Sequence, residues 1–131
     1  MSNFVAKEFA EYISYAGYDL NTSKILILGL TFKENCPDTR NSKVFDLIEY
    51  LNTLVGSIDV YDPWANEFND RLVNNLQSLD YKTNYHGILL AVGHEEFIQI
   101  GPDKIKSMLH SNGIFYDLKS VFKKDESNVR L

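Results

Sequence analysis

One cysteine, Cys36, is all the thiol chemistry this 131-residue chain carries. That excludes an internal disulfide and a cysteine-based zinc cage, and it fits a reducing compartment. Positive charge is also scarce: 13 Lys and Arg stand against 18 Asp and Glu, for a formal net charge of -5. An overall negative field repels phosphate backbones, so nucleic acid is not an expected partner. No stretch approaches the roughly 18 consecutive apolar residues of a membrane span, and the N-terminus has no basic flank leading into an apolar run. The expectation is a soluble, unsecreted, cytoplasmic chain with no membrane partner. Glycine-rich phosphate loops are missing too. The chain has neither G-x-G-x-x-G between a strand and a helix nor G-x-x-x-x-G-K-[ST].

What is present is enough apolar material for one buried core, with 44% hydrophobic and 13% aromatic residues. Phe4, Val5, Phe9, Tyr12, Ile13 and Ala16 recur at helical spacing, and Gly17 is the stop. This helix is read either as the end of a longer helix in a larger parent or as a helix packed on the sheet. Lys24 to Leu30, KILILGL, is a short continuous apolar run, typical of a strand covered on both faces. Asn41 or Ser42 caps the next helix, whose buried stripe is Val44, Phe45, Leu47, Ile48, Leu51 and Leu54.

SIDVYD, Ser57 to Asp62, reads as a second strand closed by Pro63. The spacing of Phe68, Leu72, Val73 and Leu76 predicts a helix over Trp64 to Leu76. A short strand is expected near Tyr81 to Asn84, followed by a buried strand GILLAV over Gly87 to Val92. Glu95 to Ile100 reads as a helical turn and Asp103 to His110 as a helix facing Ile105, Met108 and Leu109 inward. GIFYD, Gly113 to Asp117, is the last predicted strand, and Lys123 to Leu131 a charged tail. Strands alternating with helices imply an α/β fold: a doubly wound, Rossmann-like parallel sheet in a single domain.

In such sheets ligands bind in the crevice beyond the carboxyl ends of the strands. That edge collects Thr31 to Asn41, Asp62 to Trp64, Gly93 to Glu96, and Leu118 with Lys119. Lys33, Arg40 and Lys119 are therefore expected to form a local cationic group on an acidic protein. The loop Thr31 to Asn41 has eleven residues, whereas strand-to-helix connections usually run about 2 to 6. Ordering a long loop costs backbone entropy, so such loops usually serve binding. Arg presents a planar fork to phosphate oxygens and Lys a mobile point charge.

The segment GLTFKENCPDTRNSKVFDLIEYL resembles the C-terminal domain of the UDP-glucose/GDP-mannose dehydrogenase family. The family loop runs Gly-x-x-Phe-Lys, a short spacer, then Asp-x-Arg-x-Ser, and Gly29, Phe32, Lys33, Asp38, Arg40 and Ser42 stand in register with it. VYDPWAN, YHGILLAVGHEEF and GIFYDLKSV resemble later parts of the same domain. The N-terminal helix is similar to the end of the region that joins the family's two nucleotide-binding domains. The resemblance implies residues 1–18 as the end of a central dimerisation region and residues 19–131 as the C-terminal nucleotide-sugar-binding domain. It also implies a parent that oxidises C6 of a nucleotide sugar to a carboxylate, with NAD held mainly by an N-terminal domain and a catalytic cysteine in the central region. Such a parent is expected to be a homodimer. FKENCPD resembles the branch that handles UDP-N-acetylhexosamines for surface polysaccharides such as capsule.

Carried over by position, Phe32, Lys33 and Lys119 are expected to contact the UDP-sugar and Arg40 to contact NAD across the cleft. Many members have an arginine where this chain has Lys119, and a lysine offers a point charge there in place of a bidentate fork. The family nucleophile lies in a glycine-rich segment followed by Pro-Lys-Asp, which this sequence lacks, so Cys36 is read as a small loop residue and no residue here as catalytic. His94 with Glu95 and Glu96 invites a metal reading, but His86 and His110 fall on other elements and a metal needs three or four converging ligands. Asp62 resembles a ribose-binding acid without the glycines that accompany one. The alternative function is a free-standing nucleotide-binding or regulatory module. A receiver is disfavoured, since paired acids after strand one are absent.

Overall fold

The computed structural model describes residues 2–39, 42–65 and 73–130. It opens with α1 (Ser2–Tyr15), followed by β1 (Lys24–Leu28), α2 (Val44–Asn52), β2 (Ser57–Tyr61) and β3 (Asn74–Leu76). Then come β4 (Tyr85–Leu90), α3 (Glu95–Ile100), α4 (Pro102–Lys106), β5 (Leu109–Asp117) and β6 (Val129–Arg130). All five strand pairings are parallel, in the order β3-β2-β1-β4-β5-β6. The strand order reverses between β1 and β4, which places the ligand crevice there.

Successive residues of a strand face opposite sides, and here both sides are apolar. Ile25, Ile27, Ile58, Val60, Leu89, Ile114 and Tyr116 pack under α1 and α2. Leu26, Leu28, Ile88, Leu90 and Phe115 pack on the other side with Phe97, Ile105, Met108 and Phe122. The run KILIL therefore needs no polar alternation. α1 turns Val5, Ala6, Phe9 and Ile13 onto the sheet, and it lies so close that a Cβ on Gly87 would come within 2.6 Å of Phe9 and Ile13 side-chain atoms. Each large apolar side chain so buried contributes about 1.5–3 kcal/mol relative to exposure.

Four local expectations are corrected. Asn74 to Leu76 extend along β2 as an edge strand, where the Asn74 amide donates to Asp59 Oδ1 at 2.9 Å; residues 66–72 of the predicted helix lie outside the described residues. The ladder overrides the helical spacing there. Tyr81 and Lys82 form a turn in which Lys82 N–H donates to Asp80 Oδ1 at 2.9 Å, and the strand begins only at Tyr85. α4 stops at Lys106, and Leu109 and His110 belong to β5, whose register against β4 shifts between Tyr85 and Gly87. The tail is not structureless: Val129 and Arg130 pair with Tyr116 and Asp117.

At the amino ends of the strands, the His86 and His110 rings lie 4.4 Å apart between centroids, with Tyr18 4.7 Å from His86. Lys24 N–H donates to His86 Nδ1 at 2.9 Å. Burial, and secondarily the neighbouring His110, lower the His86 pKa below its ordinary 6.5. The fold thus binds fewer protons here than the unfolded chain, and the stabilisation is complete above pH 6.5 and lost as pH falls through the folded pKa. Melting temperature is therefore expected to drop between neutral pH and pH ~5. His86→Asn, which cannot titrate, should flatten that drop, and an unchanged slope in this variant would reject the assignment.

Candidate functional site

The crevice is a real cleft. A cavity of about 470 Å³ opens beyond β1, β4 and β5, lined by Thr31, Phe32, Lys33, Glu34, Ser42 and Lys43 from the long loop. Val44 and Leu47 of α2, Val5 of α1, and Ala91 and Val92 after β4 supply its apolar wall, and Leu118 and Lys119 close it from β5. Phe32, Lys33 and Lys119 all line this one cleft. Arg40 lies outside the described residues. Lys43 was missed: it precedes the first residue of α2, and only the folded cleft shows it among the lining residues with Lys33 and Lys119. Among the described lining residues, three lysines stand against one acid, Glu34, which gives the opening a positive balance.

Residues 31–39 of the loop have no regular secondary structure, so their shape comes from individual hydrogen bonds. Its root is fixed by Asp62, whose Oδ2 accepts from Leu30 N–H at 2.6 Å and Thr31 N–H at 2.9 Å, while Oδ1 accepts from Trp64 N–H at 2.7 Å. Burial works to raise the Asp62 pKa, but the His94 hydrogen bond and those from the Leu30, Trp64 and Thr31 amides hold it below the ordinary carboxylate value. Asp62 is therefore a loop anchor, and the comparison with a ribose acid falls away. Phe32 N–H donates to Asp38 O at 2.6 Å across the loop. At the far end Ser42 Oγ donates to Leu30 O at 2.7 Å and accepts from Val44 N–H at 3.2 Å. Of the two expected caps, Asn41 lies outside the described residues, and Ser42 is not the cap: Lys43 holds that position without a side-chain cap bond, and Ser42, one residue earlier, meets only the first helical N–H.

His94, which the sequence offered as a weak metal candidate, is fully buried. Its Nδ1 accepts from Asn35 N–H at 2.8 Å, and its Nε2 lies 3.0 Å from Asp62 Oδ2 and 3.1 Å from Thr31 Oγ1. These partners assign the ring proton to Nε2. Among the described residues no group of three His, Cys, Asp or Glu is arranged to hold a metal ion. Glu96 accepts from Trp64 Nε1 at 2.8 Å, and the Trp64 ring stacks beside His94 with centroids 6.1 Å apart. Cys36 is half-buried with a free thiol.

The second wall is built the same way. Asp117, fully buried at the end of β5, accepts from Val121 N–H at 3.2 Å and Phe122 N–H at 2.9 Å. Leu118 N–H donates to Leu90 O at 3.2 Å. The turn bearing Lys119 is thereby tied to two strands, while the lysine itself stays exposed.

A doubly wound α/β domain with a cationic cleft at its switch point is the class these features define. The comparisons narrow it. The family model described as UDP-glucose/GDP-mannose dehydrogenase family, UDP binding domain, matches residues 26–124. The chain is 34% identical to UDP-N-acetyl-D-glucosamine 6-dehydrogenase of Salmonella typhi, over 100% of this chain and 31% of that protein. It is 31% identical to Protein CapL of Staphylococcus aureus, over 98% of this chain and 31% of that one. Among solved structures, UDP-D-ManNAc dehydrogenase from Pyrococcus horikoshii superposes with a TM-score of 0.74 at 25% identity, covering 93% of this chain and 28% of that chain. The chain belongs to the UDP-glucose/GDP-mannose dehydrogenase family and corresponds to its UDP-binding domain. It spans about a third of the length of the curated relatives it matches.

Proposed function

We propose that this chain is the nucleotide-sugar-binding part of an NAD-dependent UDP-sugar 6-dehydrogenase, acting on a UDP-N-acetylhexosamine for surface polysaccharide synthesis. The observation that carries the reading is the cleft where Lys33, Lys43 and Lys119 meet beside an apolar wall. Its volume of about 470 Å³ lies within the roughly 300–1,000 Å³ typical of small-ligand sites. The lysines offer charge-assisted donors to a diphosphate, and Phe32, 56% exposed, offers a ring face to a flat base.

The described residues do not form a dinucleotide cradle. Gly29, the one glycine after β1, is needed for the approach to Val92, where an added Cβ would lie 2.6 Å from Val92 Cβ. In this proposal NAD is held mainly by another part of the parent enzyme, with Arg40 reaching it from this side. Residues 1–18 continue from its central region, and the parent is a homodimer. When bound, NAD supplies the hydride acceptor; the residues of this chain bind and orient the nucleotide sugar.

Isothermal titration with UDP is the test, and saturable binding that weakens with salt is expected. No uptake at millimolar UDP would sink the reading. The isolated chain should also reduce no NAD when given UDP-N-acetylglucosamine, because it has neither a dinucleotide fingerprint nor the family's cysteine segment. Measurable NADH formation would refute the assignment of no catalytic residue here.

A further inference from the structure

We propose that His94, held by Asp62, is a positioning residue for UDP binding: it latches the tip of the long loop so that Phe32 and Lys33 face the cleft. The inference rests on the cleft being the UDP site. Phe32, Lys33, Glu34 and Asn35 are all exposed, so apolar burial does not order them. What reaches the tip is the His94 ring, whose Nδ1 accepts from Asn35 N–H at 2.8 Å. Asn35 has a positive φ of 55° and returns the contact, its Oδ1 accepting from Glu95 N–H at 2.9 Å.

The ring is itself fixed. Nε2–H donates to Asp62 Oδ2 at 3.0 Å, and Thr31 Oγ1, which donates to Lys33 O at 3.1 Å, has a lone pair left to share that proton. Asp62 in turn grips the loop root through Leu30 and Thr31. A rigid link therefore runs from the exit of β2 through Asp62 and His94 to the loop tip, closed on its outer side by Trp64 and Glu96. Neither His94 nor Asp62 lines the cleft. Their influence on the ligand passes through loop shape, and apparent affinity scales with the fraction of loops already in that shape.

The test combines UDP titration of the chain with amide hydrogen exchange over residues 32–36 in the ligand-free protein and with thermal melting. His94→Gln keeps a donor for Asp62 near the Nε2 position but offers nothing to Asn35 N–H. His94→Asn places an acceptor near the Nδ1 position. If the loop holds its shape only about a tenth of the time in the Gln variant, UDP should bind roughly tenfold more weakly, with faster exchange at residues 32–36. The Asn variant should recover part of both, since it restores an acceptor for Asn35 N–H but has lost the Asp62 contact that fixes the ring. Affinity equal to the unaltered chain in both variants, or affinity that follows melting temperature rather than loop protection, overturns the inference and leaves the cleft reading standing. An unaltered chain that takes up no UDP overturns both. Nitrogen NMR of the His94 ring needs no variant: a proton on Nε2 is expected with and without UDP, and one on Nδ1 overturns the latch.

Discussion

With Lys33 and Lys119 both replaced by alanine, UDP is expected to bind about a hundredfold more weakly, while uridine binds as before. Hydrogen bonds to charged groups contribute about 1.5–3 kcal/mol, and the lower end applies because both lysines are exposed. Two such losses sum to roughly 3 kcal/mol, or two decades of affinity. Lys43 remains in the double variant and keeps some phosphate attraction. The salt dependence of UDP binding should flatten, since fewer cations face the diphosphate. Lys104→Ala is the control: that ammonium stacks on Tyr81, with 4.5 Å to the ring centroid, and does not line the cleft. Melting temperature should stay within a few degrees for all three proteins, because exposed side chains contribute little to stability. Equal loss of UDP and uridine affinity would show that the lysines support the loop rather than the phosphates.

The parts of this site legible in the sequence are those whose signal is local. KILIL and the GILL of GILLAV are strands legible by composition alone, though β4 runs from Tyr85 to Leu90 and leaves Ala91 and Val92 outside it; their alternation with amphipathic stretches implies a parallel sheet. Once the sheet is placed, the crevice rule brings the exits of β1 and β5 together, and Lys33 and Lys119 do line one cleft. What stayed hidden depends on pairing across distance. His94 and Asp62 are 32 positions apart, and no spacing rule says that an imidazole will serve a loop amide rather than a metal. Asn74 to Leu76 carry no strand signal of their own; they are extended because β2 offers a free edge and Asp59 accepts from Asn74. Lys43 carries no signal of its own in the sequence, and only the fold shows it in the cleft lining with two other lysines.

The comparisons add what geometry leaves open. A cationic cleft beside an exposed phenylalanine suits many nucleotides; the family model that matches the chain is described as a UDP binding domain, and the proposal takes UDP from there. The structure in return separates two kinds of residue within the family's loop pattern. Lys33 and Phe32 are exposed in the cleft, whereas Gly29 holds the loop's frame, and Ser42, buried in the cleft wall, ties the loop's end to Leu30 O. Both loops flanking the opening are anchored on a buried carboxylate at or just beyond a strand end, Asp62 for one and Asp117 for the other. Rigid anchoring is what a binding loop requires, because entropy spent on ordering at the moment of binding is subtracted from affinity.

Gly29→Ala should lower the melting temperature by roughly 10 °C or more and abolish UDP binding wherever the fold is lost. Gly29 has φ +98°, and its missing Cβ would lie 2.6 Å from Val92 Cβ and 2.8 Å from Val92 N. The backbone conformation alone costs about 1–2 kcal/mol in alanine. The collision adds roughly 1–3 kcal/mol, because Val92 cannot retreat from a packed core. Val92 N–H and Ala91 N–H both donate to Leu28 O, at 3.3 and 2.9 Å, so moving the valine also pulls on the β1–β4 seam. That seam is the floor of the switch point, and Val92 and Thr31 both line the cleft above it. A comparison isolates the contact from the backbone. Gly101 has φ +87° and ψ 159°, and a Cβ added there would meet no atom within 4 Å, so Gly101→Ala should cost only the conformational part, about 1–3 kcal/mol. If the two variants melt together, the close approach of β1 and β4 does not explain the glycine. If Gly29→Ala melts well below Gly101→Ala and its residual folded fraction binds UDP poorly, this glycine acts as a packing residue that sets the floor of a nucleotide cleft.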